Sequence, residues 1–303
     1  MASISISIAD ILTVIYVVVD DWYRSQDSMM IKPKCGAKAE FSDSEMLTLM
    51  VAQDFVPYPS ETQFVEYVRA NHRALFPKLL TQSQFNRRAR QLRLKVEGFR
   101  RDMINKLGVL DEMDFLLDTK PVPVLGYKRS KAHSDFLGSA DYGVCASRNL
   151  KYFGYKLVTL VTTAGIPAIY DLVPANLDER VAAEAVVFDL QGCDILGDKG
   201  FIGQDWQARI EQLTANRIYT PKRTNQSQQN TPEFDRWLNG VRERIEGVFH
   251  EIQNTGRHLE RLLAKTIVGL CTRVCQKLTS HALRLWLKRA FNIDIQTFHI
   301  SLP

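Results

Sequence analysis

Asp194-Ile-Leu-Gly-Asp198-Lys-Gly-Phe-Ile-Gly203 joins a short apolar run to a carboxylate and then to a turn. The apolar run ends at Gly197, Asp198 follows at once, and an amphipathic segment extends from Phe201 to Leu213. This pattern predicts a buried strand that delivers Asp198 at its carboxyl end, next to a helix start. Ligands of open α/β sheets bind outside the carboxyl ends of strands. Taken alone, the pattern also fits an ordinary strand-end or turn aspartate.

A second buried-strand pattern, Met113-Asp-Phe-Leu-Leu117, ends in Asp118 and is predicted to stop at the prolines of residues 119–123. A long loop rich in Tyr, Lys and Arg follows over residues 124–153. Basic residues interleaved with aromatic ones are typical of a DNA-facing loop, although an ordinary surface loop is the alternative. After this loop, strands 155–163 and 166–173 are predicted to form a hairpin, and a helix is predicted over residues 179–190. The Asp198 strand and its helix follow, and then a strand over residues 217–220. A polar loop over residues 221–232 leads into a last helix that extends to about residue 252.

This order of elements over residues 111–253 predicts an RNase H-like α/β domain with a mixed sheet. Its first three strands are expected to pair antiparallel, and the later strands to add in parallel through helical crossovers. With the first strand beside the fourth, Asp118 and Asp198 would lie side by side, and the last helix would bring Glu246 over them. For Glu246 alone, a salt bridge to Arg242, one helical turn earlier, is the alternative.

Three converging carboxylates indicate a cation site, because they cannot all ionise comfortably without one. Oxygen ligands without histidine or cysteine favour Mg²⁺, with Mn²⁺ as a substitute, over zinc. Two such ions about 4 Å apart would suit in-line displacement at a phosphodiester. The sequence therefore predicts metal-dependent phosphoryl transfer on nucleic acid.

The regions on either side of this domain are predicted to be helical. Residues 1–110 show helical patterns at about 9–24, 41–55, from Ser60, and in one long basic helix over 83–107. Short helices ahead of an arginine-rich helix are typical of a helix-turn-helix-like DNA-binding region, with a plain helical scaffold as the alternative. Residues 257–303 are predicted as a C-terminal helical segment that packs on the catalytic domain of residues 111–256.

Composition is that of a globular protein, and the mild positive charge permits a polyanionic partner without demanding one. Its 303 residues are 45% hydrophobic and 24% charged, with a net charge of +5 and a pI of about 8.9. Residues 82–106 carry eight Lys or Arg against two acids, and residues 221–303 carry thirteen against seven, so each segment is net +6. Such segments are typical of nucleic-acid binding, and a solvated helix face is the open alternative.

Neither a membrane nor a zinc site is predicted. The nine-residue apolar run of residues 11–19 is too short to span a bilayer. The five cysteines form no CxxC pair, which indicates reduced thiols in a cytoplasmic protein.

Several ordered motifs resemble those of DDE transposases of bacterial insertion sequences, in the group with a compact catalytic domain and no large insertion. The match is densest over residues 114–256, and Phe41–Glu45 and Phe85–Arg88 resemble the family's N-terminal region. The motifs are Leu117-Asp-Thr-Lys-Pro121, Ala140-Asp-Tyr-Gly-Val-Cys-Ala-Ser147, Tyr152-Phe-Gly-Tyr-Lys-Leu157, Pro174-Ala-Asn-Leu-Asp-Glu-Arg180, Gly197-Asp-Lys-Gly-Phe-Ile-Gly203 and Arg242-Glu-Arg-Ile-Glu-Gly-Val-Phe249.

The resemblance implies that Asp118, Asp198 and Glu246 are the metal-binding catalytic triad. Arg242 matches the arginine of the family's Y-R-E-K signature, whereas Asn239 and Gln253 replace its usual tyrosine and lysine. DNA contacts are expected from the basic residues and from Gln253 at the lysine position. The full set of expected contacts is Arg87, Arg88, Arg90, Lys120, Lys128, Arg129, Lys131, Lys199, Lys222, Arg223, Arg242 and Gln253.

The resemblance further implies a transposase that binds terminal inverted repeats in double-stranded DNA. With Mg²⁺, bound as two ions, it would cleave at the element ends and transfer the strand to target DNA. A homodimer or higher assembly on nucleoid DNA is expected, because two ends must be joined. The alternatives are an RNase H-fold nuclease without strand transfer and a catalytically inactive DNA-binding relative.

Overall fold

The computed structural model describes residues 7–27, 39–145, 148–222 and 229–295. The chain divides into two compact units. The helical unit comprises Met1–Met103, Asn254–His258 and Val268–Pro303, and the sheet unit comprises Ile104–Gln253 and Leu259–Ile267. Within the described stretches, no helix combines the length and the hydropathy that crossing a bilayer requires.

Five α-helices precede the sheet within the described residues, and two of them begin at capping residues close to the predicted starts. The five helices are α1 Ile8–Asp27, α2 Asp43–Ala52, α3 Glu61–Asn71, α4 Gln82–Gln91 and α5 Arg93–Lys106. Ser42 and Glu45 form a reciprocal capping box at the start of α2, and Ser60 caps α3. The predicted helix starts near residues 41 and 60 are therefore confirmed.

The single basic helix predicted over residues 83–107 is wrong, because α4 and α5 are separate helices. Leu92 adopts φ −88° and ψ 7° and closes α4 with a hydrogen bond from its N–H to the Arg88 carbonyl. Apolar residues continue at three- and four-residue steps on both sides of Leu92, which is itself buried. The break therefore leaves no mark in the periodicity from which the long helix was predicted.

The C-terminal helix α9 Ile267–Phe291 belongs, from Val268 onward, to the helical unit. Lys277 Nζ lies 3.5 Å from Asp54 Oδ1, and Ser280 Oγ donates to the Val51 carbonyl at 2.8 Å. Arg257 also pairs with Asp54, at 3.3 Å. The sequence predicted that residues 257–303 pack on the catalytic domain, and Leu259–Ile267 of this segment belong to the sheet unit. The buried carboxylate of Asp54 takes partners from the parts of the segment that belong to the helical unit.

The sheet unit is built around a long strand, β3. Its strands are β1 Asp114–Leu125, β2 Asp141–Cys145, β3 Leu150–Thr162, β4 Pro167–Pro174, β5 Asp194–Leu196 and β6 Arg217–Tyr219. β1 pairs antiparallel along one edge of β3, and β2 and β4 pair antiparallel with its other edge. β5 adds in parallel to β1, and β6 adds in parallel to β5. The predicted strand directions, and the predicted neighbourhood of the Asp118 and Asp198 strands, are confirmed.

Two predictions about the strands are wrong. β1 does not stop after Asp118 but continues to Leu125, with Pro121 opposite Lys156 of β3. β5 pairs with β1 only over Asp114–Leu116. Within the described residues, the later part of β1 therefore has a strand partner on one side only, and such an edge tolerates proline. The predicted loop 124–153 also contains the short strand β2, which pairs with the start of β3.

Helices α6 Glu179–Val187, α7 Gln204–Thr214 and α8 Pro232–Asn254 complete the sheet unit and confirm the predicted crossovers. Asn216 fixes the start of the Asp198 strand. Its Nδ2 donates to the carbonyls of Val187 and Leu190 at 3.0 and 2.9 Å, and its Oδ1 accepts from the Cys193 N–H at 2.9 Å. Since Asn216 is fully buried, these bonds join the end of α6 to the approaches of β5 and β6.

Candidate active site

The register of two parallel strands brings Asp118 and Asp198 to the same level. Leu116 of β1 pairs with Leu196, the last residue of β5. Asp118 lies two residues further along β1, and Asp198 follows the end of β5 by two residues. Side chains two residues apart on a strand point to the same face of the sheet, so Asp118 shares a face with Leu116. The two carboxylates are close enough for the charge of Asp198 to raise the pKa of Asp118. The predicted pairing of these two acids is thus present.

Asp118 lies in a mostly buried setting, with 23% of its side chain exposed. Its Oδ1 accepts from the Thr119 N–H at 2.7 Å, and its Oδ2 lies 3.7 Å from Lys120 Nζ. Burial raises the pKa of Asp118 to about 6, and Lys120, the Thr119 N–H and Arg242 only partly oppose this effect. A cation beside Asp118 would therefore stabilise the ionised form of its carboxylate.

Asp198 occupies the point where β5 gives way to a 3₁₀ turn, Lys199–Phe201. Its Oδ1 accepts from the Gly200 N–H at 2.7 Å and so caps that turn. A Cβ at Gly197 would lie 2.8 Å from the buried Phe201 ring, which explains why glycine follows the strand. The Gly-Asp-Lys-Gly motif is therefore a tight structural element that fixes the carboxylate.

Helix α8 approaches the same part of β1 with one stripe of side chains. The charge of Arg242 acts on Asp118, and the Phe249 ring centroid lies 5.1 Å from Lys120 Nζ. At about 100° per residue, Glu246 and Gln253 fall on this stripe, within about 60° of Phe249 around the helix axis. Glu246 is exposed, and Gln253 Nε2 donates to Glu260 Oε1 at 3.2 Å.

The three predicted acids do not form one cluster. Across residues 7–27, 39–145, 148–222 and 229–295, no three His, Cys, Asp or Glu side chains lie close enough together to hold a metal ion. The structure brings Asp118 and Asp198 together and leaves Glu246 on the α8 stripe.

The pair itself fits a hard divalent cation, because both donors are carboxylate oxygens and one has a raised pKa. Thr159, which pairs with Asp118 across β1 and β3, adds a buried hydroxyl that has no hydrogen-bond partner in the described part of the chain.

Glu179, which the sequence prediction did not include, bonds to Thr119, the residue next to Asp118. It accepts from Thr119 Oγ1 at 2.9 Å and from Lys156 Nζ at 2.8 Å. Glu179 stands at the start of α6, directly after the N-cap residue Asp178. The only signal in the sequence was its place in the Pro174–Arg180 motif, which does not show which strand it faces.

The predicted DNA-contacting residues of the sheet unit have different environments. Lys128, Arg129 and Lys199 are exposed, and Lys222 is half-buried. Lys131 is held by its neighbours: its Nζ lies 5.0 and 5.1 Å from the ring centroids of Tyr142 and Phe153. Arg223 lies outside the described residues.

In the helical unit, the arginines of α4 differ from one another. Arg87 is exposed. Arg88 Nη2 lies 2.5 Å from Asp43 Oδ1, with 19% and 17% of the two side chains exposed. Arg90 Nε donates to the Asn86 carbonyl at 3.4 Å. Arg87 is thus the α4 arginine best placed for an external partner.

Comparison with known proteins identifies a family. The family model described as "Transposase DDE domain" matches residues 108–262, just over half of the chain. No curated protein and no solved structure matches. The matched range contains the whole sheet, the Asp118–Asp198 pair and α8. The chain belongs to the transposase DDE domain family.

Proposed function

We propose that the protein is the transposase of an insertion sequence. It binds the terminal inverted repeats of its element and catalyses metal-dependent strand cleavage and strand transfer by in-line phosphoryl transfer. The observation that carries this proposal is the Asp118–Asp198 pair, with one acid on β1 and the other just after the parallel strand β5. Family membership supports it, since transposases of this kind act on DNA.

The fold is proposed to be RNase H-like. The strand order β4-β3-β1-β5-β6, antiparallel as far as β1 and parallel beyond it, agrees with this proposal. The helical unit is proposed to bind DNA in the manner of a helix-turn-helix region, with Arg87 on its surface.

DDE transposase domains generally use divalent metals. Here we propose Mg²⁺, replaceable by Mn²⁺ and bound as two ions, with Asp118, Asp198 and Glu246 as ligands. Such ions supply charge stabilisation for the reacting phosphate and for the leaving oxygen. Asp118, with a pKa of about 6, is mostly ionised at neutral pH and can serve as a ligand. Glu246 is proposed as the third ligand because it shares the α8 stripe with Arg242 and Phe249.

The residues around the pair are proposed to bind and orient DNA. Lys120, close to Asp118, and the exposed Lys199, next to Asp198, place positive charge where a phosphate would lie. Lys128, Arg129 and Lys131 extend this charge along the loop after β1. A homodimer or higher assembly on nucleoid DNA, in the cytoplasm, is proposed because two element ends must be joined in one reaction.

Two observations favour an alternative, a DNA-binding relative that does not cleave. The described residues hold two acids together rather than three, and Gln253, at the position of the family's usual lysine, is bonded to Glu260. A nuclease of the same fold that cleaves without joining is the other alternative.

The test is a cleavage and joining assay on DNA that carries the ends flanking the gene, with Mg²⁺. Asp118→Ala is compared with the native protein, and Asp171→Ala, an exposed carboxylate on β4, is the matched control. We expect a specific nick at the element end and then a joined product, both lost only in Asp118→Ala. Nicks without joining would establish the nuclease. Binding without nicks in Mg²⁺ and Mn²⁺ alike would establish the inactive relative, and Gln253→Lys would then be assayed for regained cleavage.

A further inference from the structure

We propose that Glu179 is a positioning residue for the Asp118–Asp198 pair: from the opposite face of the sheet, it holds the backbone that carries both carboxylates. The inference rests on the proposed function, because it concerns the same metal site. Its evidence comes from three contacts of one side chain.

The first contact links Glu179 to the strand of Asp118. Neighbouring residues of a strand point to opposite faces, so Thr119 faces away from the side that carries Asp118 and Lys120. Thr119 Oγ1 donates to Glu179 Oε2 at 2.9 Å, while the N–H of the same Thr119 donates to Asp118 Oδ1 at 2.7 Å. Thr119 thus passes any shift of Glu179 directly to the carboxylate of Asp118.

The second contact anchors Glu179 itself. Lys156 Nζ donates to Glu179 Oε1 at 2.8 Å and to the Leu177 carbonyl at 2.6 Å, and only 12% of the Lys156 side chain is exposed. Lys156 pairs with Pro121 across β1 and β3, so it shares a face with Thr119. An ion pair this sheltered is held more firmly than an exposed one.

The third contact reaches the turn after Asp198. A Cβ placed on Gly200 would lie 3.2 Å from Glu179 Cγ and 2.9 Å from Asp198 Oδ1. The Gly200 N–H also donates to Asp198 Oδ1. The aliphatic part of Glu179 therefore packs against the same turn whose amide orients the second carboxylate.

These contacts link Glu179, the first residue of α6, to the backbone next to both aspartates. Residues that orient metal ligands without touching the metal typically change metal affinity by about 10- to 100-fold when they are removed. Without the Glu179 carboxylate, Thr119 loses its acceptor and the Lys156 ammonium loses its counter-charge. We therefore expect the spacing of the two aspartates to loosen and cation affinity to fall.

The experiment measures Mn²⁺ affinity of the full chain, by electron paramagnetic resonance and by calorimetry, without DNA. Glu179→Ala should weaken Mn²⁺ binding about 10- to 100-fold. The Mn²⁺ affinity of Glu179→Gln, which keeps one acceptor oxygen, should lie between those of Glu179→Ala and the native protein. Glu184→Ala is the matched control, because Glu184 lies on the same helix but bonds Trp206 and Arg209. It should bind Mn²⁺ like the native protein.

A double-mutant cycle tests whether Glu179 acts through Thr119. Thr119→Val keeps the shape of the side chain and removes its hydroxyl, so the variant stays informative if Glu179→Ala does not fold. Thr119→Val combined with Glu179→Gln should lose less affinity than the sum of the two single losses. Circular dichroism of each variant checks that the fold is retained.

Native-like Mn²⁺ affinity in both Glu179 variants, or fully additive losses in the cycle, would overturn the inference. The failure of the proposed function looks different. If Asp118→Asn and Asp198→Asn leave Mn²⁺ affinity unchanged, the metal site itself is absent, and the role of Glu179 falls with it.

Discussion

Asp118 is placed where its charge is unfavourable unless a cation is present. Its pKa is raised from 3.8 to about 6, chiefly by burial, so the folded state favours the protonated form. The protonated Asp118 therefore makes its full contribution to the stability of the folded state below pH 3.8. This contribution is lost as the pH rises through 6 and the carboxyl ionises. At pH 7 the ionised carboxylate should therefore destabilise the metal-free protein by at most about 3 kcal/mol. This value is an upper limit because part of the side chain reaches solvent.

Replacing Asp118 by a neutral isostere should consequently stabilise the metal-free protein. We expect Asp118→Asn to raise the free energy of unfolding at pH 7 in EDTA by up to about 3 kcal/mol, and by less than about 1 kcal/mol at pH 4. Urea unfolding at the two pH values measures this difference. Asp171→Asn is the control, since Asp171 also accepts from the next N–H at 2.7 Å but is exposed. An equal gain at both pH values would contradict the burial argument.

At the scale of elements, α4 combines an exposed arginine with one that supports the fold. Arg87→Ala should weaken binding of element-end DNA and lower the salt slope of log K by about one unit, which corresponds to one lost phosphate contact, without a change in stability. Arg88→Ala should lower the free energy of unfolding instead, because it leaves Asp43 without its guanidinium partner. Fluorescence anisotropy at several salt concentrations and urea unfolding separate the two effects. Unchanged DNA affinity in Arg87→Ala would remove α4 from the interface.

The sequence could predict the elements whose signals are local. The strands around Asp198 and the hairpin are short apolar runs between turn residues, and their order determines which strands become neighbours. The continuation of β1 past Asp118 could not be predicted, because the prolines normally end a strand and only the free edge beyond Leu116 makes them acceptable. The contact of Glu179 with Thr119 joins residues 60 positions apart, which no local pattern reveals.

At the scale of the whole molecule, the division of the chain is discontinuous. The sequence predicted three consecutive regions, because composition and periodicity change along the chain at about residues 110 and 256. The structure instead assigns the first and last parts of the chain to one helical unit. The reason is a buried charge cluster: Asp54, 2% exposed, is surrounded by Arg257, Lys277 and Ser280. Complementary charges some 200 residues apart carry no signal in a single sequence.

This cluster makes the helical unit depend on one carboxylate. Lys277 and Arg257 hold the pKa of Asp54 below its usual value despite burial, so its stabilising contribution is lost as the pH falls below about 4. Asp54→Asn keeps the shape of the side chain but leaves both cations buried without a counter-charge, which should lower the free energy of unfolding by about 3–5 kcal/mol.

Urea unfolding followed by circular dichroism measures the effect of Asp54→Asn. Asp294→Asn, which breaks the exposed pair with Lys288, should change little and serves as the control. Lys277→Met removes one of the two buried cations that lack a counter-charge in Asp54→Asn. Added to Asp54→Asn, it should therefore recover part of the lost free energy of unfolding. If Asp54→Asn were as stable as the native protein, the cluster would not be what holds residues 254–258 and α9 to the N-terminal helices, and apolar packing alone would have to account for it.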